Sequence, residues 1–309
     1  MDTVINITAP IFFLIFIGFL AVRLGFISKD AIPGLSRFVL YLALPALVFG
    51  NILSMDFGQI INMSYMLVYA AGGICAFVVA TLVTRYAFSD SWQQAGVRGL
   101  GAALPNSAFV GFPILQQYFS DPPAQAFAMA VMVENILLMP LVLIFLESVS
   151  GQHQGNQSRL VKTVLSRVIK NPIIVAVLLG LGGSLLGIHL PKFITTGLEI
   201  LAKGSAAVAL IVIGGALVGV SIRGSLGQMG CVAVAKLLVF PLVVFALLQW
   251  IPGIPSDLKM CVLLFAAMPM FSIYPIIGGQ YGQQSFCAST LLITTVAAFF
   301  SVSVLLALL

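Results

Sequence analysis

Ten long apolar runs, separated by short clusters of charge, proline and glycine, fill almost the whole chain and limit what it can become. Their approximate bounds are 4–23, 35–54, 63–86, 95–118, 125–146, 172–189, 195–221, 229–250, 258–280 and 286–308. A helix needs about 20 mostly apolar residues to cross the hydrocarbon core of a bilayer. The runs are continuous rather than alternating, so they read as helices and not as strands of a membrane barrel. Only 7% of the 309 residues are charged, against roughly 25% in a soluble domain. So few charges cannot dress a water-facing surface. A soluble enzyme, a nucleic-acid binder and a disordered chain are therefore excluded, and the net charge of +5 is no basic patch for nucleic acid. The fold class expected is an all-α membrane protein with ten transmembrane helices. The first run opens directly after Met1-Asp2-Thr3, with no basic segment before it, and reads as a retained span rather than a signal peptide.

One polar connection, 147–171, divides the runs five and five. An odd number per half means that two related halves would enter the membrane in opposite senses. Spacing supports the relation. Pro10 and Pro172, Leu24-Gly25 and Leu186-Gly187, and Pro113 and Pro275 are each 162 apart, and Pro105 and Pro269 are 164 apart. Inverted repeats of this kind are a transporter signature. The domain reading is 1–146 for the first five-helix repeat, 147–171 for a linker, and 172–309 for the second repeat. Arg23, Lys29, Arg37, Arg85, Arg98, Arg159, Lys162, Arg167, Lys170 and Arg223 fall on one face, and Lys192, Lys203 and Lys259 on the other. The positive-inside rule makes the first face cytoplasmic, with the linker on it and both termini outside.

The fourth and ninth runs carry the chemistry. Pro105 and Pro113 interrupt the fourth, with Asn106, Ser107 and Gly111 between them. Pro269 and Pro275 interrupt the ninth, with Ser272 and Tyr274 between them. Proline removes a backbone donor and clashes with the preceding turn. Unpaired backbone groups are costly in lipid, so a break has to face protein or a water-filled cavity. Paired broken helices at matching positions point to a binding site near the midplane. Their downstream halves offer free N–H groups and the positive end of a helix dipole to a carboxylate. Their upstream halves offer carbonyls to Na⁺ or to a donor on the substrate. Ordinary proline kinks are the competing reading, and they are the reading adopted at Pro45, Pro140 and Pro241.

Two charges stand well inside apolar runs. Glu134, followed by Asn135, lies in the fifth run, where a carboxyl is functional by default as a proton carrier or cation ligand. A structural hydrogen bond to a broken neighbour is the alternative. Lys236 lies in the eighth run, about two turns from its cytoplasmic end, where it can snorkel to the interface or pair with Glu134. Gly180, Gly182, Gly183, Gly214, Gly215 and Gly219 form small-residue faces suited to close helix packing. Cys75, Cys231, Cys261 and Cys287 lie in apolar runs without metal-ligand spacing and read as reduced structural thiols. His153 and His189 have no ligand cluster beside them. No P-loop, no H-E-x-x-H and no intramembrane acid pair occurs, so the expectation is not an enzyme, with no cofactor beyond a coupling H⁺ or Na⁺.

The run LPNSAFVGFPIL at 104–115, MVEN at 132–135 and the proline-broken ninth run resemble the auxin efflux carrier family, whose bacterial members include proteins described as malonate transporters. The resemblance covers nearly the whole chain. It implies a fold shared with bile acid:sodium symporters, in which broken helices four and nine cross in a mobile core of helices 3–5 and 8–10. Helices 1, 2, 6 and 7 would form a scaffold that dimerises. It further implies elevator-like alternating access of an organic anion across a bacterial inner membrane. Plant auxin carriers have Asn-Pro at each crossover, whereas this chain has Pro105-Asn106 at the first and Pro269-Met270 at the second. That difference points away from auxin itself. The site expected from the residues is Pro105, Asn106, Ser107, Pro113, Pro269, Ser272, Tyr274 and Pro275 for the substrate, with Glu134 and Asn135 for coupling. A passive channel or facilitator on the same spans, and a membrane enzyme or receptor, are the competing functions.

Overall fold

The structure, a computed structural model, describes residues 2–55, 60–150, 166, 170–222 and 224–308. Most of the expected linker, including Arg159, Lys162 and Arg167, lies outside the described residues, as do Arg223 and His153. Among the described residues every element is helical. In chain order they are α1 (Asp2–Arg23), α2 (Lys29–Leu53), α3 (Met63–Ala87), α4 (Trp92–Ala103), α5 (107–118) and α6 (Ala124–Val149). The second half continues with α7 (Pro172–Leu185), α8 (Lys192–Ala216), α9 (Leu226–Trp250), α10 (Ser256–Ala267), α11 (Tyr274–Gln280) and α12 (Gln284–Leu308).

Six of these, α2, α3, α6, α8, α9 and α12, are long and apolar enough to cross a membrane, and α1 and α7 hold shorter apolar stretches. The fourth and ninth runs are each two helices. Both α4 and α10 are 12 residues, about 18 Å at 1.5 Å per residue, too short to span a core of about 30 Å alone. The sixth and seventh runs end earlier than their hydropathy suggested, at Leu185 and Ala216. Gly187 and Gly219 follow with φ of +63° and +79°, the left-handed conformation in which glycine stops a helix.

Polar side chains set several of the starts. Ser91 and Gln94 form a reciprocal capping box on α4. Asn62, Asn171 and Ser225 cap α3, α7 and α9. Four prolines within the helices do more than kink them. Pro45, Pro113, Pro140 and Pro241 each stand two residues after a wide π turn, at Val39–Ala43, Ser107–Gly111, Val133–Leu138 and Ala235–Val239. The ring of a proline displaces the carbonyl four residues before it, and the turn opens to i→i+5 bonding. Two of these turns carry Glu134 and Lys236.

The helices pack in two sets. In one, α1 lies along α8, and α2 lies against α7 and α8. In the other, α3 packs on α4 and α9, α9 on α10, α4 on α6, and α11 on α12. Close approach needs glycine at the α1–α8 contact. A Cβ on Gly214 would run into the Ile15 carbonyl oxygen, and one on Gly18 into that of Ile211. Gly180 and Gly183 likewise meet Ile52 and Leu53, whereas Gly182 faces open space. All four cysteines are free, with Cys261 and Cys287 buried.

Arg98 departs from the sequence reading. Counted there as a loop cation, it is 3% exposed and lies inside α4. Its Nε pairs with Asp90 at 3.0 Å, one Nη donates to Gln283 at 2.9 Å, and its guanidinium lies 4.0 Å from the Phe286 ring centroid. Gln228 donates to the other Asp90 oxygen at 2.8 Å. The cluster ties the α3–α4 loop, α4, the start of α9 and the start of α12 together. Glu134 and Lys236 are therefore not alone as buried charges. Burial pushes the Asp90 carboxyl above its ordinary value, with the Arg98 guanidinium pulling the other way.

Candidate functional site

The two breaks meet. Leu104, the residue before Pro105, is extended, as a pre-proline residue prefers to be. The Asn106 N–H donates to the Pro269 carbonyl at 2.7 Å, and the Phe271 N–H donates to the Leu104 carbonyl at 3.0 Å. This is a two-bond antiparallel pairing centred on Pro105 and Met270. In such a pairing the central residues donate nothing to each other. Pro105 thus sits where no N–H is needed, and Pro269 contributes only its carbonyl. Each break satisfies backbone groups of the other, which lipid could not do.

Asn106 then starts α5. Its Oδ1 accepts from the Phe109 N–H at 3.2 Å, and its Nδ2 donates to Ser272 Oγ at 2.8 Å. The N–H groups of Ser107 and Ala108, at the first positions of α5, have no intrahelical acceptor by position. The second downstream half differs. At α11 the Tyr274 N–H goes to Phe271, those of Ile276 and Ile277 go to Ile273, and Pro275 has none. The positive end available to a ligand is therefore mainly that of α5.

Beside it lies Glu134. Tyr69 Oη donates to Glu134 Oε1 at 2.7 Å, and Ser107 Oγ donates to the same oxygen. Tyr69 Oη and Ser107 Oγ are 3.1 Å apart. All three side chains are buried. Asn135 donates to the Val131 carbonyl and accepts from Asn171, which caps α7. It ties α6 to α7. Lys236 does not snorkel. It is fully buried, its Nζ donates to the Ala266 carbonyl at 2.7 Å, and the same Nζ lies 4.3 Å from the Phe240 ring centroid. No ion-pair contact joins it to Glu134.

A cavity of about 570 Å³ opens on the crossing. Of the expected substrate residues, Pro105, Asn106, Ser107 and Ser272 line it, as do Glu134 and Asn135. Pro113, Pro269, Tyr274 and Pro275 are not in its wall. Pro113 and Pro275 sit at the second positions of helical segments, and Tyr274 is buried against Gly101. Two wall residues escaped the sequence reading as site residues, the cation Lys170 and the α7 cap Asn171. Tyr69 also escaped it, being one of 7 tyrosines with nothing local to mark it.

Comparison with known proteins identifies a family. The profile of a family described as "Membrane transport protein" matches residues 3–306. The chain belongs to that family. The match bears out the resemblance to the auxin efflux carriers, and the chain is a membrane transporter. The transporter is 23% identical over 307 residues to a "Putative malonate transporter" of Rhizobium meliloti, covering 99% of this chain and 96% of that protein. It is 24% identical over 269 residues to the "Uncharacterized transporter YfdV" of Escherichia coli K12, covering 85% of this chain and 84% of the relative. It is 26% identical over 244 residues to the "Lysosomal cholesterol signaling protein" of Mus musculus, covering 75% of this chain but 28% of that longer protein.

Proposed function

We propose that the transporter moves a small organic anion, a carboxylate, by secondary transport with elevator-like alternating access. The observation that carries this reading is the crossing itself, with Ser107 and Ala108, the first residues of α5, and Asn106 in the wall of one cavity. A helix N-terminus carries roughly half a positive charge and free donors aimed outward. It can hold a carboxylate without a fixed cation in contact with it. Lys170 at the cavity wall would meet a second carboxylate, which suits the dicarboxylate named for the Rhizobium relative.

The architecture that goes with this reading has ten crossings in two inverted halves, with α4–α5 and α10–α11 each making one crossing. The scaffold would be α1, α2, α7 and α8, the transport core the remaining helices, and the scaffold the dimer face. The packing of the helices in these two sets supports the division. A bacterial inner membrane, with Lys170 on the cytoplasmic side and both termini outside, completes the proposal. The cavity would then be the inward-facing one.

A thermal-shift screen of mono- and dicarboxylates on the purified protein tests it. A ligand at 100 times its Kd stabilises the folded state by about 2.7 kcal/mol. Stabilisation by small dicarboxylates, lost in Asn106→Ala, is expected. A flat response to every carboxylate counts against the anion site.

A further inference from the structure

We propose that the cation position at the carbonyl end of the second broken helix is filled by the protein's own lysine, Lys236, so that the coupling ion is a proton on Glu134 and not Na⁺. The inference rests on the transporter reading above and specifies its coupling.

The last carbonyls of a helix have no N–H partner within it and carry the negative end of its dipole. In broken transporter helices such carbonyls are where Na⁺ coordinates. At the end of α10 two of them are engaged. The Phe265 carbonyl accepts from the Met268 N–H at 3.2 Å and the Ala266 carbonyl from Lys236 Nζ at 2.7 Å, while just beyond the helix the Pro269 carbonyl accepts from the Asn106 N–H at 2.7 Å. The π turn Ala235–Val239 and Pro241 behind it place Lys236 inward, with the face of Phe240 under its Nζ. A Na⁺ here would have to displace that Nζ from the Ala266 carbonyl. The first half has no such cation. At the 164-residue offset that relates Pro105 to Pro269, Lys236 corresponds to Gly72.

Glu134 is the acid at the crossing that can take a proton. One of its oxygens accepts from two hydroxyls, Tyr69 and Ser107, which steadies the ionised form after the proton has left. The carboxyl also borders the cavity, which gives a proton a way in. The titratable groups around Glu134 and Lys236 are Tyr65 and Tyr69 on α3 and Cys261 on α10, and Lys170 and Tyr41 share the cavity wall with Glu134. With Glu134 ionised, its negative charge at the cavity wall repels an anion. With Glu134 protonated, that repulsion is gone and an anion binds more readily. Proton and anion then bind with positive coupling, each raising the affinity for the other by the same factor. The transport mode that follows is H⁺–anion symport.

Purified protein in proteoliposomes, fed labelled malonate, provides the test. An inward pH gradient should raise initial uptake several-fold, and replacing external K⁺ by Na⁺ should leave it unchanged. Glu134→Gln should lose the response to the pH gradient. Uptake driven by a Na⁺ gradient, or pH-driven uptake that persists in Glu134→Gln, overturns the inference while leaving the transporter reading intact. No carboxylate flux under any gradient overturns both. The melting temperature of the wild type supplies a readout independent of flux. It should be the same in NaCl and KCl at equal ionic strength, and a Na⁺-specific rise overturns the assignment of Lys236.

Discussion

Tyr69→Phe is the most informative single change, because it removes one oxygen and leaves the ring in place. That oxygen donates to Glu134 at 2.7 Å and lies 3.1 Å from Ser107, in a fully buried setting. A buried hydrogen bond to a charged group contributes about 1.5–3 kcal/mol, and one to a neutral group about 0.5–1.5. Ser107 still donates to the carboxylate in the variant, so the lower end applies, about 2 kcal/mol in all. At roughly 2–4 °C per kcal/mol for a large domain, the melting temperature should fall by about 4–8 °C. In a Glu134→Gln background the acceptor is neutral, and the same change should cost about 1 kcal/mol or less. The double-mutant cycle therefore predicts a coupling of about 1 kcal/mol. Thermal unfolding of the four proteins in one detergent at pH 8 measures it. A Tyr69→Phe effect within 0.5 °C of zero, or one equal in both backgrounds, refutes the view that Tyr69 holds an ionised Glu134.

Three other changes probe separate parts of the structure. Gly214→Ala would drive a methyl group into the Ile15 carbonyl, and overpacking of this kind costs about 1–3 kcal/mol or more. A clear fall in melting temperature is expected, and an unchanged value contradicts the close α1–α8 contact. Lys170→Gln should raise the KM for a dicarboxylate more than for a monocarboxylate of similar size, measured by uptake, and equal changes refute its role as a second anchor. Burial holds the Asp90 carboxyl above its ordinary value of 3.8, so the folded state binds a proton more readily than the unfolded chain. Wild-type stability relative to Asp90→Asn should rise as the pH falls from neutral toward that ordinary value. A difference that does not change with pH contradicts it.

Much of this was legible in the sequence wherever one residue type forces one outcome. Pro105 and Pro269 announced the two breaks because proline cannot continue the backbone pattern. Glu134 announced itself because an acid in an apolar run has to be accommodated. The reciprocal bonding of the breaks was not legible, since it depends on two segments about 164 residues apart coming into register. Nor was the closing of α11, whose N–H groups are taken by its own preceding turn. Lys236 looked like a snorkelling side chain because its distance from a helix end suited one. The π turn before Pro241, invisible in hydropathy, turns it inward. Arg98 looked like an interfacial cation because it lies near the start of a helix. The loop that returns Asp90 to it turns at Ser89, whose φ of +57° no periodicity would suggest.

Counterflow measures directly whether the paired breaks hold a carboxylate within a carrier. Proteoliposomes preloaded with unlabelled malonate are diluted into a trace of labelled malonate. Transient, saturable accumulation of label above equilibrium is expected, abolished or severely weakened in Asn106→Ala. Flux that rises linearly with concentration and never overshoots contradicts a carrier and identifies a passive pore.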